Sequence, residues 1–205
     1  MVKVSQNQDL DLIFVIDRSG SMWGSENDTI GGFNAFIEKE KNKEFNTRVT
    51  TILFDDQYEV LYERKEIGDV SLLTSDEYYV RGSTALLDAI GKTITSLNSK
   101  IENNVLFVVM TDGMENASVE FSKSQIKNMI NSHSWEFIFI GADIDSYSEA
   151  GSIGFKKSRI ANYEKSQQGV EDMYCSVACF SDRMRSGESM DLDDVDWKKD
   201  LRKYD

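Results

Sequence analysis

Asp17-Arg18-Ser19-Gly20-Ser21 places one carboxylate and two hydroxyls at alternate positions of the chain. All three are hard oxygen donors, one charged and two neutral. That mixture suits a small divalent cation such as Mg2+. The same residues could form a turn in which short polar side chains bond nearby backbone N–H groups. What precedes them bears on the choice. Leu12 to Ile16 is an unbroken apolar run, β-branched and aromatic, too short for a helix, and reads as a strand buried on both faces. Such strands lie in the middle of parallel sheets, which gather ligands in the crevice beyond their carboxyl ends. Asp17, Ser19 and Ser21 fall at that place.

Two further stretches supply matching donors. Arg81-Gly82-Ser83-Thr84-Ala85 puts Thr84 in a loop just before a strongly periodic helix, and Gly82 allows the tight turn this needs. Thr111-Asp112-Gly113 closes a second apolar run, Val105 to Met110, so Asp112 stands at a strand end as Asp17 does. Three oxygen clusters at one edge of one sheet read as a metal site rather than three separate turns. With Asp17 and Asp112 the only charged donors among the five, a bound Mg2+ is not over-neutralised by the protein. Mg2+ takes six oxygens and keeps water where the protein supplies none, so an outside carboxylate can complete its shell. Mn2+ takes the same octahedral oxygen, and Ca2+ could substitute.

Asp17-x-Ser19-x-Ser21, followed by Thr84 and then Asp112, resembles the metal-ion-dependent adhesion site (MIDAS) of von Willebrand factor A (vWA) domains. The resemblance covers roughly residues 8 to 165 and fills all five ligand positions. It is nearest to small cytosolic members of bacterial and phage type, including those of tellurium-resistance and stress operons. It implies that Ser19, Ser21 and Thr84 bind the metal directly in the ligand-bound state, with one or both aspartates acting through water. It also implies docking of a Glu or Asp from an unidentified partner protein, and a last helix, about Val170 to Met184, able to shift on occupancy.

Two other functions compete with docking. Haloacid-dehalogenase-type phosphatases also begin with a strand ending in a nucleophilic aspartate beside Mg2+. They resemble Asp-x-Asp there, whereas Ser19 holds the second place and cannot move protons usefully at neutral pH. No Gly-rich phosphate loop of P-loop type is present. A Mg2+-dependent hydrolase using Asp17 is therefore the lesser reading, and no enzymatic activity is expected. The third reading is a purely structural domain whose metal staples the loops.

The elements that must position these donors follow from periodicity. A helix capped by Asp28 or Thr29 runs to about Lys41, with Ile30, Phe33, Phe36 and Ile37 on one stripe. Gly31-Gly32 inside it suggests either close approach to the sheet or a slow helix start. Arg48 to Phe54 and Tyr58 to Ile67 form an antiparallel hairpin around a turn at Asp55-Asp56 with solvated charges. Ala85 to Lys100 is the clearest amphipathic helix. Ser118 to Ser132 is a helix, Trp135 to Ile140 a strand ending near Asp143, a candidate supporting group for the metal, and Glu115 a solvated loop acid. A short helix at Asp145 to Ile153, a weak strand at Ser158 to Asn162 and the helix Val170 to Met184 follow. The whole is a doubly wound α/β fold, Rossmann-like: a mostly parallel six-stranded sheet with one antiparallel edge strand and helices on both faces. Residues 1–187 form one domain, and 188–205 a charged tail or a short docking helix led by Trp197 and Leu201.

Composition narrows the partners. The formal net charge of −13 opposes binding to nucleic acid and to anionic membranes. No apolar segment is long enough to span a bilayer, and the polar start has no signal-peptide centre, so a cytoplasmic protein is expected. Cys175 and Cys179 share a helical face and read as reduced, buried packing residues, while the single histidine, His133, suits a surface or helix-end position.

Overall fold

The apolar run Leu12 to Ile16 is the centre of strand β1 (Leu10–Asp17), every residue of which is buried in the computed structural model, which describes residues 9–101, 104–186 and 197–205. Its side chains alternate between two cores. Leu12, Phe14 and Ile16 face one side of the sheet, Ile13 and Val15 the other. Burying each such side chain contributes about 1.5–3 kcal/mol, so β1 is held firmly in place.

Around β1 stand β2 (Thr47–Phe54), β3 (Tyr58–Glu66), β4 (Val105–Thr111), β5 (Glu136–Gly141) and β6 (Ile160–Asn162), in the order β3-β2-β1-β4-β5-β6. Every pairing is parallel except β2 with β3, the antiparallel edge. The doubly wound architecture is thus the one implied by the alternation of apolar runs and periodic stretches. Helices α1 (Glu26–Lys41) and α5 (Gln167–Ser186) cover one face, where Phe14 meets Phe33, Phe36 and Tyr174 at ring-centroid separations of 5.7, 5.4 and 6.2 Å. Helices α2 (Leu86–Leu97), α3 (Lys123–Ser132) and α4 (Ser146–Ser152) cover the other. Strand order reverses between β1 and β4, and the crevice beyond their carboxyl ends is where this class of sheet binds ligands.

Several local expectations need correction. The helix expected from Ser118 starts at Lys123, because the Asp88 carboxylate on α2 accepts the N–H groups of Val119, Glu120 and Phe121 and holds them out of the helix. A capping box between Ser122 and Gln125 then sets the start. Gly32 approaches α5, not the sheet: a Cβ there would lie 2.4 Å from Val170 Cγ1. Cys175 and Cys179 are exposed rather than packed. Asp55 is not solvated but fully buried. His133 does sit at the end of α3, its Nδ1 2.7 Å from the Met129 carbonyl.

Trp197 and Leu201 are buried, with Trp197 edge-on to Phe180 and its Nε1 donating to the Ser158 carbonyl over 2.9 Å. A 3-10 helix, Lys199–Tyr204, follows. The boundary expected at residues 187/188 lies outside the described residues. Among the described residues no helix is long and apolar enough to cross a membrane.

Candidate metal centre

Three loops meet beyond the ends of β1 and β4. Asp17 ends β1, and the chain turns at once because Asp17 Oδ1 accepts the Ser19 N–H over 2.6 Å. The 3-10 turn Gly20–Met22 then carries Ser21. Thr84 arrives immediately before α2, its backbone pinned by Asn116: Asn116 Oδ1 accepts the Thr84 N–H over 2.9 Å, and the Asn116 N–H donates to the Thr84 carbonyl over 3.0 Å. Asp112 follows β4 directly.

The five expected donors come together. Thr84 Oγ1 donates to Ser19 Oγ over 3.0 Å, Ser19 and Ser21 Oγ lie 3.1 Å apart, and Ser21 Oγ donates to Asp112 Oδ1 over 2.5 Å. Each hydroxyl has one proton, so with its two neighbours committed, Ser19 donates to Ser21. The hydroxyls form a relay from Thr84 to Asp112 in which every oxygen keeps a lone pair for another contact. Asp17, Ser19, Thr84 and Asp112 are buried, while Ser21 is exposed and opens the cluster outward.

The donor type, oxygen throughout, fits a small cation, and the loops that carry it close tightly. A Cβ at Gly113 would lie 2.5 Å from Thr84 Oγ1 and 3.1 Å from Ser21 Oγ, so only glycine lets the β4 loop close onto the hydroxyls. Among the described residues no three His, Cys, Asp or Glu side chains converge to hold a metal. A cation here would depend on the hydroxyls together with Asp17 and Asp112, an all-oxygen donor set.

Burial pushes the Asp17 carboxyl up to about 6, against hydrogen bonds from Thr111 Oγ1 and the Ser19 N–H that pull it down, with the nearby Asp112 charge adding to the rise. Both Asp17 oxygens are engaged, Oδ2 by Thr111 Oγ1 at 2.5 Å. Charging a buried carboxylate is costly, and a cation beside it lowers that cost.

Residues beyond the five hold the loops. Arg18, fully buried, sends Nε to Asp55 Oδ2 over 2.9 Å and Nη2 to Glu59 Oε2 over 2.7 Å; Arg81 Nε reaches the same Asp55 oxygen over 2.7 Å. Although burial pushes Asp55 up, hydrogen bonds from Arg81, the Gln57 N–H and Arg18 bring its carboxyl below the usual range. This clamp joins the β1 loop to the Thr84 loop. Glu115 does not reach the donors: it accepts the N–H groups of Leu87, Ala117 and Ser118, tying the β4 loop to α2. Asp143 is one ion pair away, joined to Asp112 through Lys165. Thr111 lies in the stretch that announced Asp112, and Asn116, four residues after Asp112, was not singled out. Lys165 had no local signal.

A family profile described as the von Willebrand factor type A domain matches residues 11–174. No curated protein matches the chain by sequence. Proximal thread matrix protein 1 from the mussel byssus shares 15% identity at a TM-score of 0.63, over 87% of this chain and 46% of that one. One structure of that mussel protein has a zinc-occupied MIDAS motif. The pilus adhesin SpaC from Lactobacillus rhamnosus GG gives a TM-score of 0.69 at 14% identity, over 87% and 30%. The ArnB paralog VWA2 from Sulfolobus acidocaldarius gives 0.58 at 17%, over 88% and 45%. The chain spans less than half the length of each of these, and at such identities the likeness is one of fold.

Proposed function

The chain belongs to the von Willebrand factor type A domain family, and from that premise we propose that it is a docking module that uses Mg2+ to bind an acidic side chain of a partner protein. Asp17, Ser19, Ser21, Thr84 and Asp112 would hold the ion. When bound, Mg2+ supplies an electrophilic centre with room for an oxygen from outside the protein. The observation that carries this reading is the hydroxyl relay, Thr84 to Ser19 to Ser21 to Asp112, built from three loops at the β1/β4 crevice.

The donor set supports docking over hydrolysis. Asp17 is fully buried with both carboxylate oxygens accepting hydrogen bonds, a poor posture for a nucleophile. Ser19 stands where a general acid would be required. The reading extends to a reducing, cytoplasmic setting, in keeping with two exposed thiols on α5. A partner presenting Glu or Asp fits the ion, while the net charge of −13 opposes nucleic acid and anionic membrane.

The test has two arms. Calorimetric titration of Mg2+ should show saturable one-to-one binding in wild type and none in Asp17→Ala. A random peptide library panned in Mg2+ and eluted with chelator should enrich peptides sharing an Asp or Glu, and Thr84→Ala should enrich none. Enrichment that ignores acidic residues, or that survives chelation, would sink the docking role. Turnover of p-nitrophenyl phosphate lost in Asp17→Asn would replace it with the hydrolase.

A further inference from the structure

One side chain at the crevice belongs neither to the five donors nor to their supports. Lys165 lies in the segment between β6 and α5, and its Nζ is 3.0 Å from Asp112 Oδ2 and 2.8 Å from Asp143 Oδ2. Asp112 has a fully buried carboxylate whose other oxygen is taken by Ser21. The Lys165 ammonium is therefore the one full positive charge paired with it among the described residues. Asp143, by contrast, is 65% exposed and projects from a residue in left-handed conformation, φ 54°.

The two ends of this ion-pair chain differ in what they lose when Lys165 moves. Asp112 would be left as a buried charge facing only a hydroxyl, which is costly. Asp143 would be left in water, which is not. The ammonium thus belongs to Asp112, and the exposed Asp143 gives it a second partner just outside the crevice. A divalent cation taking Asp112 into its shell would meet a like charge already on that carboxylate.

We infer that Lys165 is a tethered counter-ion to Asp112, occupying the metal's place on that carboxylate and lowering the affinity of the site for divalent cations. It withdraws to Asp143 when the ion binds. The position of the tether is well defined. Ser166, next in sequence, accepts the Gly169 N–H on its side chain over 3.1 Å and the Val170 N–H on its carbonyl over 3.0 Å. A Cβ at Gly169 would lie 2.1 Å from the Glu164 carbonyl oxygen, so the turn carrying Lys165 is tightly closed. The ammonium has reach but its backbone is fixed. This inference rests on reading the five donors as a metal site.

The experiment is Mg2+ titration by calorimetry on the full chain, comparing wild type with Lys165→Met, Lys165→Arg and, as a remote charge control, Lys41→Met. The expected result is binding five- to tenfold tighter in Lys165→Met, near wild type in Lys165→Arg and unchanged in Lys41→Met. Thermal melting adds a second readout, the size of the Mg2+-induced rise, which loss of a merely structural lysine would not enlarge. Metal-free Lys165→Met should melt below wild type, and saturating Mg2+ should raise its melting temperature by more than it raises that of wild type. If Lys165→Met does not fold, Lys165→Gln keeps a donor for Asp112 without the charge and should show the same gain. Wild type that binds Mg2+ with Lys165→Met (or →Gln) equal or weaker overturns the counter-ion role and leaves the metal site standing. No binding in either overturns the metal site and this inference with it.

Discussion

Ser21 Oγ donates to Asp112 Oδ1 over 2.5 Å, joining loops that are 91 residues apart in the chain. The bond holds two of the proposed metal donors in mutual contact. The crevice is thus assembled by its own hydrogen bonds.

Thr84→Ala deletes one hydrogen bond of the relay, to Ser19, and Ser21→Ala deletes two, to Ser19 and to Asp112. Each bond lost should cost about 0.5–1.5 kcal/mol in urea unfolding of the metal-free protein. Mg2+ affinity should fall at least tenfold in calorimetry, because a metal donor is lost as well. An unchanged affinity in Thr84→Ala would remove that residue from the site.

Asp17 makes metal-free stability depend on pH with a sign opposite to that of an ordinary salt-bridged acid. Its folded value, about 6, lies above the ordinary 3.8, so the native state holds the proton more tightly than the unfolded chain. The stabilisation is complete below pH 3.8 and is lost as pH rises through 6, a change of about 3 kcal/mol for roughly two units. Subtracting the stability curve of Asp17→Asn from that of wild type should isolate this fall. Mg2+ binding by wild type should weaken below pH 6, where the proton competes for the same oxygens. A difference curve flat from pH 4 to 7 would contradict the burial argument.

Adjacent glycines of α1 should respond in opposite directions to alanine. A Cβ at Gly31 meets nothing within 4 Å, so Gly31→Ala should stabilise by about 1 kcal/mol through helix propensity. At Gly32 the new Cβ would press on Val170 and Tyr174 of α5, and overpacking should cost about 1–3 kcal/mol. Paired denaturant curves check both signs at once.

The Arg18–Asp55–Arg81 clamp should be unequal in its two halves. Arg18 is fully buried and Arg81 is a third exposed. Arg18→Met leaves the buried Asp55 with only the partly exposed Arg81 as its cation and should cost about 3–5 kcal/mol. Arg81→Met should cost about 1 kcal/mol, since water replaces part of what is lost. Equal effects in thermal melts would mean that burial does not govern the clamp.

Much of this molecule was legible along the chain. The apolar runs ending in Asp17 and Asp112 marked two central strands, and the periodic stripe after Thr84 marked α2, because strand ends and helix starts are local events with a short sequence signature. Asp55-Asp56 was misleading for the same reason. Two acids in a hairpin turn look solvated until Arg18 and Arg81 are known to close over the first of them.

By itself, then, the sequence determined which oxygens gather at the sheet's edge, since each follows directly from the element it terminates or begins. Tertiary structure alone decided what else stands beside them. Thr111 reaches Asp17 across 94 residues, Lys165 reaches Asp112 across 53, and Gly32 meets α5 rather than the sheet. These contacts depend on strand order and on the path of loops between elements. No pattern of spacing records them, because the energy that selects them comes from burial and charge pairing between distant segments.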